Sequence, residues 1–281
     1  MQVEYLSDVY LDNFHYSILG QNTGQRIVFV HGLMAFSANW RKIANQFEAE
    51  YQCLIYDQRG HGRSFKPETG YTPQDLAEDL NKMTDELGWK EFHLVGHSMG
   101  GRVSMNFAHM YPQKVKTLCL EDIGADVQPG SYKYYEKMLN IVPTPFQNKE
   151  QMKAFFQTEF LKQFTPHEDP SVLMTFLQVN IQETENGLYD WKFSKQGIVE
   201  IVREGHMRDR WLEVSSFKMP VLLIRGENSH ILSHEEYEKM LQVNPHIQGH
   251  VVKGAGHWVH YEKFQEFTDV LRKFLTLHDA Q

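Results

Sequence analysis

The sequence has little cysteine: among 281 residues only Cys53 and Cys119 occur. Each lies in an apolar run that predicts a buried strand, and in the fold predicted below two further strands separate them. At ~4.8 Å per strand their Cα atoms would be roughly 14 Å apart, whereas a disulfide needs less than ~7 Å. Neither cysteine lies in a turn or at a helix start, where the pKa of a thiol falls. The sequence therefore excludes a disulfide-linked scaffold and disfavours a thiol nucleophile.

Long apolar runs and an excess of positive charge are also missing. No apolar run is long enough to span a bilayer, and the first residues lack the basic start and apolar core of a secretion signal. The formal net charge is −8, a poor electrostatic match for nucleic acid or an anionic membrane surface. We therefore expect a cytoplasmic protein without membrane insertion and without a nucleic-acid partner; the oligomeric state stays open.

Strands alternate with helices through most of the chain. Predicted strands cover residues 3–6, 14–19, 26–32, 52–57, 91–95, 115–120, 220–224 and 250–252. The segments between them have helical character, as in residues 72–88, where Thr72 can cap a helix with one apolar stripe. Such alternation predicts an α/β protein with a mostly parallel, eight-stranded sheet covered by helices on both faces.

The alternation lapses between residues 126 and 214, where the pattern becomes helical and rich in aromatic residues. We interpret residues 1–125 and 215–281 as the core and residues 126–214 as a helical cap, inserted after the sixth predicted strand. Ligands of such sheets bind beyond the carboxyl ends of the strands. Because the insertion begins at such an end, we expect it to cover the site.

The strongest chemical signal is the run Gly-His-Ser-Met-Gly at residues 96–100, followed by Gly101, where a strand ends and a helix begins. This is the nucleophile-elbow pattern, in which a strained turn lifts a serine out of the sheet and flanking glycines avoid clashes. Ser98 is therefore the predicted nucleophile. The alternative is a plain strand-to-helix turn with an inert serine.

A serine nucleophile needs a base and donors for the oxyanion. His257 follows a glycine-rich segment after the last predicted strand and is the predicted base. The alternative is that it is a core or surface residue without a catalytic role. The main-chain N–H groups of Met99 and Leu33 are the predicted oxyanion donors. For the turn containing Leu33, the alternative is a plain strand exit.

Together the motifs resemble those of the capped α/β-hydrolase superfamily. They are His-Gly at residues 31–32, Asp-Gln-Arg-Gly-His-Gly-Arg-Ser at 57–64, the elbow at 96–101 and Gly-His-Trp at 256–258. Within the superfamily the chain looks most similar to the YbfF-type esterases. The resemblance implies a serine hydrolase acting on a short- or medium-chain acyl ester or an acyl-CoA thioester, without a metal or organic cofactor.

The resemblance also bears on the acidic residue that orients His257. Most relatives carry an aspartate shortly after the strand at residues 221–224, but here that position holds Ser229. YbfF-type esterases place the acid after the preceding strand, which corresponds to Asp122. We therefore predict Asp122 as the acid and Glu227 as its rival. Ser229 is either a support for Asp122 or His257, or a solvated loop hydroxyl.

Several other residues carry weaker signals. Trp258 and Phe36 are candidate pocket walls, although aromatic residues more often serve packing. His230 and His234 are four residues apart, yet no third ligand for zinc is evident. The turn at residues 57–64 is interpreted as structural, and we expect Asp57 and Arg59 to connect neighbouring loops through polar contacts.

A basic cluster marks the end of the insertion. Its members are Arg203, His206, Arg208 and Arg210. It could contact an anionic substrate tail, but a solvated or salt-bridged helix face is the more frequent role of such a cluster.

Three other functions remain open. A cofactor-free haloperoxidase and a carbon–carbon bond hydrolase would both keep the serine. A protein of another class, a ligand-binding receptor with little turnover, would keep the fold but is disfavoured by the intact set Ser98, Asp122 and His257.

Overall fold

The computed structural model describes residues 9–22, 24–127, 130–163 and 171–279. The strands are β1 (Tyr16–Leu19), β2 (Arg26–Val30), β3 (Gln52–Tyr56), β4 (Phe92–His97), β5 (Val115–Glu121), β6 (Ile181–Glu183), β7 (Tyr189–Trp191), β8 (Val221–Gly226) and β9 (Ile247–Val252). Seven of them form one sheet in the order β1-β3-β2-β4-β5-β8-β9. All neighbours in this sheet are parallel except β1, which pairs with β3 in the antiparallel sense.

Helices cover the sheet and build the insertion. They are α1 (Ala38–Ala44), α2 (Pro73–Glu86), α3 (Met99–Met110), α4 (Ser131–Ile141), α5 (Lys149–Gln157), α6 (Ser171–Val179), α7 (Lys195–Gly205), α8 (Trp211–Ser216), α9 (His234–Val243), α10 (Val259–Glu262) and α11 (Phe264–Asp279). Across the described part of the chain, none of these helices is long and apolar enough to cross a membrane.

The side chains of the central strands alternate between two cores. On β2, Val28 and Val30 pack into one buried cluster, while Ile27 and Phe29 pack into the other on the opposite face. This period of two follows from the pleat of a strand, and burial on both faces explains the nearly continuous apolar runs in the sequence. The first predicted strand, residues 3–6, lies outside the described residues, and among the described residues the sheet has seven strands.

Cys53 and Cys119 are buried and free, as predicted. They lie on β3 and β5, and β2 and β4 run between those strands. Burial raises the pKa of the Cys53 thiol to about 12 and that of Cys119 well above its usual value. Both therefore stay protonated near neutral pH.

The segment between β5 and β8 contains α4 to α8 and has its own apolar cluster, to which Phe146, Phe156 and Phe160 belong. The prediction that this segment is wholly helical is wrong at one place, because β6 and β7 form an antiparallel hairpin. Gly187, with φ of 75°, allows the connecting turn, and Thr184 N–H donates to Leu188 O at 2.7 Å. The dipeptide Asn186-Gly187 is a known hairpin signal that the helical reading overlooked.

Candidate active site

Ser98 lies in a sharp turn between β4 and α3. Its φ of 54° and ψ of −122° are rare for a residue with a side chain. The turn requires glycine beside it: a Cβ on Gly100 would lie 2.3 Å from the main-chain oxygen of Val30. The local geometry is therefore that of the elbow expected from residues 96–100.

Ser98, His257 and Asp122 meet in series at the carboxyl ends of the strands. Nε2 of His257 lies 2.9 Å from Oγ of Ser98, and Nδ1 lies 2.7 Å from Oδ2 of Asp122. These distances fit one tautomer, in which Nδ1–H donates to the carboxylate and Nε2 accepts from the serine hydroxyl. A hydroxyl, an imidazole and a carboxylate in this order can generate a nucleophile.

Asp122 follows β5 directly and is fully buried, with a φ of 50°. Its Oδ1 accepts a hydrogen bond from Gly226 N–H at 3.0 Å, and its Oδ2 accepts one from the hydroxyl of Ser229. Because β5 lies between β4 and β8, the carboxylate is flanked by the strand that leads to Ser98 and by the loop that holds Ser229. These donors satisfy a carboxylate that water does not reach.

Glu227 is exposed, and the structure does not bring it to His257. Its Oε2 instead accepts a hydrogen bond from Gly254 N–H at 2.9 Å and so joins the loops that follow β8 and β9. Of the two carboxylates singled out from the sequence, Asp122 is the one that contacts the imidazole.

A second set of buried polar residues, His97, Glu121 and His260, lies beside the catalytic residues and was not predicted from the sequence. His260 donates its main-chain N–H to Oε1 of Glu121 at 2.8 Å, and its Nδ1 lies 2.9 Å from the same oxygen. Nε2 of His97 lies 2.9 Å from the main-chain oxygen of His257. Burial raises the pKa of Glu121, but the nearby His260 and His97 lower it more, so that the net shift is downward.

The members of this buried group lie next to or near the three predicted catalytic residues in the sequence, but only the structure shows that they contact one another. His97 precedes Ser98, Glu121 precedes Asp122 and His260 follows His257 by three residues. Possible ligand atoms of the three lie within 4.8 Å of one another, but all three side chains already take part in the hydrogen bonds above. The group is therefore interpreted as a hydrogen-bonded support. His230 and His234 are both exposed and do not belong to it.

A cavity of about 230 Å³ opens beside Ser98, bounded by the sheet end and by the insertion. Leu33 and Met99 line it, as required of oxyanion donors, and that role of their N–H groups stays a prediction. Trp258 also lines it and packs on Phe176, with ring centroids 5.6 Å apart.

Phe36 does not serve as a wall, contrary to expectation. Among the described residues that line the cavity it is absent, and its ring instead lies 4.8 Å from Nζ of Lys192. Met34, with φ of 56°, is buried and takes the inward position. The tight turn after β2 therefore points Phe36 away from the cavity.

The turn at residues 57–64 has the structural role that was predicted. The carboxylate of Asp57 accepts hydrogen bonds from Ser37 N–H at 2.6 Å and Arg63 N–H at 2.9 Å. Arg59 forms a buried ion pair with Asp79. His61 binds main-chain groups only among the bonds described, accepting from Met34 N–H at 3.2 Å.

The basic cluster at the end of the insertion divides in the structure. Arg208 forms an ion pair with Glu213, and Arg203 lies over the ring of Tyr132 at 5.2 Å. His206, in contrast, lines the cavity, and so does Arg102, which the sequence did not single out. Arg102 lies one helical turn beyond Ser98 on α3, and this spacing is the signal that could have found it.

Comparison with known proteins places the chain among hydrolases. A family profile described as alpha/beta hydrolase fold matches residues 25–264. The chain is 27% identical to 2-(acetamidomethylene)succinate hydrolase of Mesorhizobium japonicum, over 85% of this chain and 84% of that one. It is 26% identical to Lipase 1 of Psychrobacter immobilis, over 96% of this chain and 83% of that one.

A solved structure shares the fold. The structure described as a marine microorganism esterase superposes with a TM-score of 0.79 at 24% sequence identity, covering 93% of this chain and 98% of that one. The fold class expected from the sequence is therefore confirmed.

Proposed function

The chain belongs to the alpha/beta hydrolase fold family, and on that premise we propose that it is a serine hydrolase that cleaves small carboxylic esters or thioesters. The observation that carries the proposal is the contact series Ser98 Oγ, His257 and Asp122, at 2.9 and 2.7 Å. A hydrolase is consistent with the relatives, since both curated proteins named above are called a hydrolase or a lipase.

In the first half of the proposed reaction, His257 Nε2 takes the proton of Ser98 as Oγ attacks the substrate carbonyl carbon. Asp122 holds the imidazole in the tautomer that leaves Nε2 free to accept, and its charge stabilises the imidazolium that forms. The N–H groups of Leu33 and Met99 are proposed to hold the oxyanion, each contributing ~10²–10³ in rate. The tetrahedral intermediate then collapses, and His257 gives its proton to the departing alcohol or thiol.

In the second half, water attacks the acyl group on Ser98. His257 removes a proton from that water, and as the new intermediate collapses to the carboxylic acid, His257 returns the proton to Oγ of Ser98. The chain's own residues supply all proton transfers in this scheme.

The cavity supports small acyl groups. Its volume of about 230 Å³ suits a short or medium chain, and apolar side chains such as Met138 and Ile201 form much of its wall. The acid after β5 is the feature that favours the YbfF-type esterases within the family. We further propose that the insertion, residues 126–214, acts as a cap that sets the accepted chain length.

A fluorophosphonate probe tests the nucleophile directly. We expect covalent labelling of the wild-type protein and its loss in Ser98→Ala, while the control Ser215→Ala, an exposed hydroxyl on α8, keeps full labelling. A panel of esters and acyl-CoA thioesters of increasing chain length, run on the same variants, then identifies the leaving group and the chain-length optimum.

The rival functions give other outcomes. A cofactor-free haloperoxidase or a carbon–carbon bond hydrolase would also be labelled by the probe at Ser98. It would catalyse halogenation or cleave diketones rather than hydrolyse esters. A ligand-binding receptor would be folded, bind small molecules and remain unlabelled. Ester turnover that depends on Ser98 is the result that the proposed function requires.

A further inference from the structure

The cavity beside Ser98 is unbalanced in charge. Within the described part of the chain, its lining contains no aspartate, glutamate or lysine, and Arg102 is the one arginine. His206, from the insertion, lines the same cavity and is close enough to Arg102 for the guanidinium to lower its pKa. A lining in which a guanidinium is the one charged side chain besides neutral polar and apolar residues suits an acyl group that carries a negative charge.

Arg102 is buried, and among the described residues it has no acidic partner in an ion pair. Its side chain donates to the main-chain oxygen of Asp126 at 2.6 Å and, weakly, to that of Gly205 at 3.5 Å, while its Nε has no partner among the described residues. No carboxylate lies within 4.0 Å of it in that part of the chain. Arg59, by contrast, is equally buried and is paired with Asp79.

A second guanidinium increases the positive charge at this place. Arg210, also buried, reaches the same Gly205 oxygen at 3.4 Å and lies 4.0 Å from Glu213, which is engaged with Arg208. Two buried arginines that share one carbonyl oxygen repel each other, and an uncompensated buried charge is costly to the fold.

The pKa values of Arg102 and His206 leave Arg102 as the charged member of this pair near neutral pH. Burial and the nearby Arg210 lower the pKa of Arg102 to about 10, although the carboxylates of Glu236 and Asp126 act in the opposite direction. Burial, Arg102 and Arg210 lower the pKa of His206 to about 4. Near neutral pH, His206 is therefore a neutral hydrogen-bonding group beside a charged guanidinium.

We propose that Arg102 is an anion subsite, with which the enzyme recognises acyl groups that end in a carboxylate, that is, half-esters of short dicarboxylic acids. This inference rests on the proposed function, since it names the substrate class of the same site. Arg102 lies four residues beyond Ser98, or ~6 Å along α3. An acyl chain attached to Ser98 can therefore reach its guanidinium with its far end, where the planar fork binds a carboxylate through two N–H groups.

Matched substrate pairs test the subsite. Monoethyl glutarate and ethyl pentanoate have acyl chains of equal length and differ in the terminal carboxylate, as do monoethyl adipate and ethyl hexanoate. In a pH-stat assay we expect the wild-type kcat/KM to favour the anionic member of a pair. In Arg102→Gln we expect kcat/KM for that ester to fall about 10- to 100-fold, with little change for the neutral ester. For Arg102→Lys we expect a kcat/KM for the anionic ester between those of the wild type and of Arg102→Gln.

Arg203→Gln is the matched control, because Arg203 is exposed on α7 and does not line the cavity. It should keep the preference of the wild type. A wild-type preference for the neutral esters, or an equal loss on both esters in folded Arg102→Gln and Arg102→Lys, overturns the subsite and leaves Arg102 a purely structural residue.

A binding measurement separates this inference from the proposed function. Calorimetric titration with free glutarate requires no turnover and can be run on Ser98→Ala. Binding that is lost in Arg102→Gln supports the subsite even if no ester is hydrolysed, in which case the proposed function alone fails. Ester hydrolysis without glutarate binding and without an anionic preference overturns the subsite and leaves the proposed function intact.

Discussion

The hydroxyl of Ser229 donates its hydrogen bond to Oδ2 of Asp122, the same oxygen that contacts His257. Ser229 lies in the loop after β8, and it is buried, so the alternative of a solvated loop hydroxyl is wrong. A donor from one strand end thus supports a carboxylate from the neighbouring strand end. The role of Ser229 as a support for Asp122 agrees with this contact.

Ser229→Ala removes that donor. We expect kcat/KM on the preferred ester to fall by about five- to tenfold, since the hydroxyl contributes one hydrogen bond to a charged group that keeps another donor in Gly226. Steady-state kinetics measure the change, with Ser215→Ala as the unaffected control. A loss as large as that of Ser98→Ala would contradict a supporting role.

Asp122→Ala and Glu227→Ala distinguish the two carboxylates. Loss of Asp122 leaves His257 without its partner, and we expect kcat to fall by ~10⁴, the cost of losing a triad acid in other hydrolases. Glu227 is exposed and contacts Gly254, so its loss should change kcat by less than about threefold. If the two variants rank in the reverse order, Asp122 is not the acid.

Glu121→Gln tests the buried support beneath the site. The substitution keeps the shape of the side chain but leaves His260 without its anionic partner, and we expect the free energy of unfolding to fall by about 3 kcal/mol. Urea unfolding of the wild type and Glu121→Gln at neutral pH measures this change in the free energy of unfolding.

The control for Glu121→Gln is a glutamate–histidine pair at the surface. Glu266 lies 3.1 Å from His250, and both side chains are more than a third exposed. Glu266→Gln should alter the free energy of unfolding by less than about 1 kcal/mol, because water screens exposed pairs. Equal effects of the two substitutions would mean that burial does not strengthen the Glu121–His260 interaction.

Buried neutral histidines make the fold sensitive to acid. Burial lowers the pKa of His61 and of His97 to about 3 each, below the value near 6.5 of the unfolded chain. The unfolded state therefore binds more protons as the pH falls below 6.5, and stability declines from that point by about 1.4 kcal/mol per pH unit for each such group. His61→Gln should make this decline shallower without changing its onset.

Urea unfolding of the wild type and His61→Gln at a series of pH values between 5 and 8 measures that difference in slope. Glutamine can still accept the N–H of Met34, so the variant should keep the local turn. Parallel pH profiles for the two proteins would show that His61 is protonated to the same degree in the folded and unfolded states.

The sequence-based expectations were wrong at two places, for two different reasons. Phe36 was expected at the cavity because it closely follows Leu33, a proposed oxyanion donor, but the direction of its side chain depends on how the turn after β2 packs. The hairpin β6–β7 is short and its strands lie between helices. The helical pattern of the surrounding residues 126–214 therefore led to a helical prediction for the hairpin as well. Nearness along the chain does not specify which way a side chain points.

The sequence by itself determined most of the elements and the sharp turn at Ser98, because these depend on local physics: glycine at crowded positions, continuous apolar runs and capping groups. It thereby located Ser98 and His257 at ends of predicted strands. Two relationships were decided only by the tertiary structure: which carboxylate contacts His257, and that Arg102 lines the same cavity with no acidic partner among the residues that the structure describes. Those relationships depend on strand order and on the packing of the insertion, which join residues far apart in the chain.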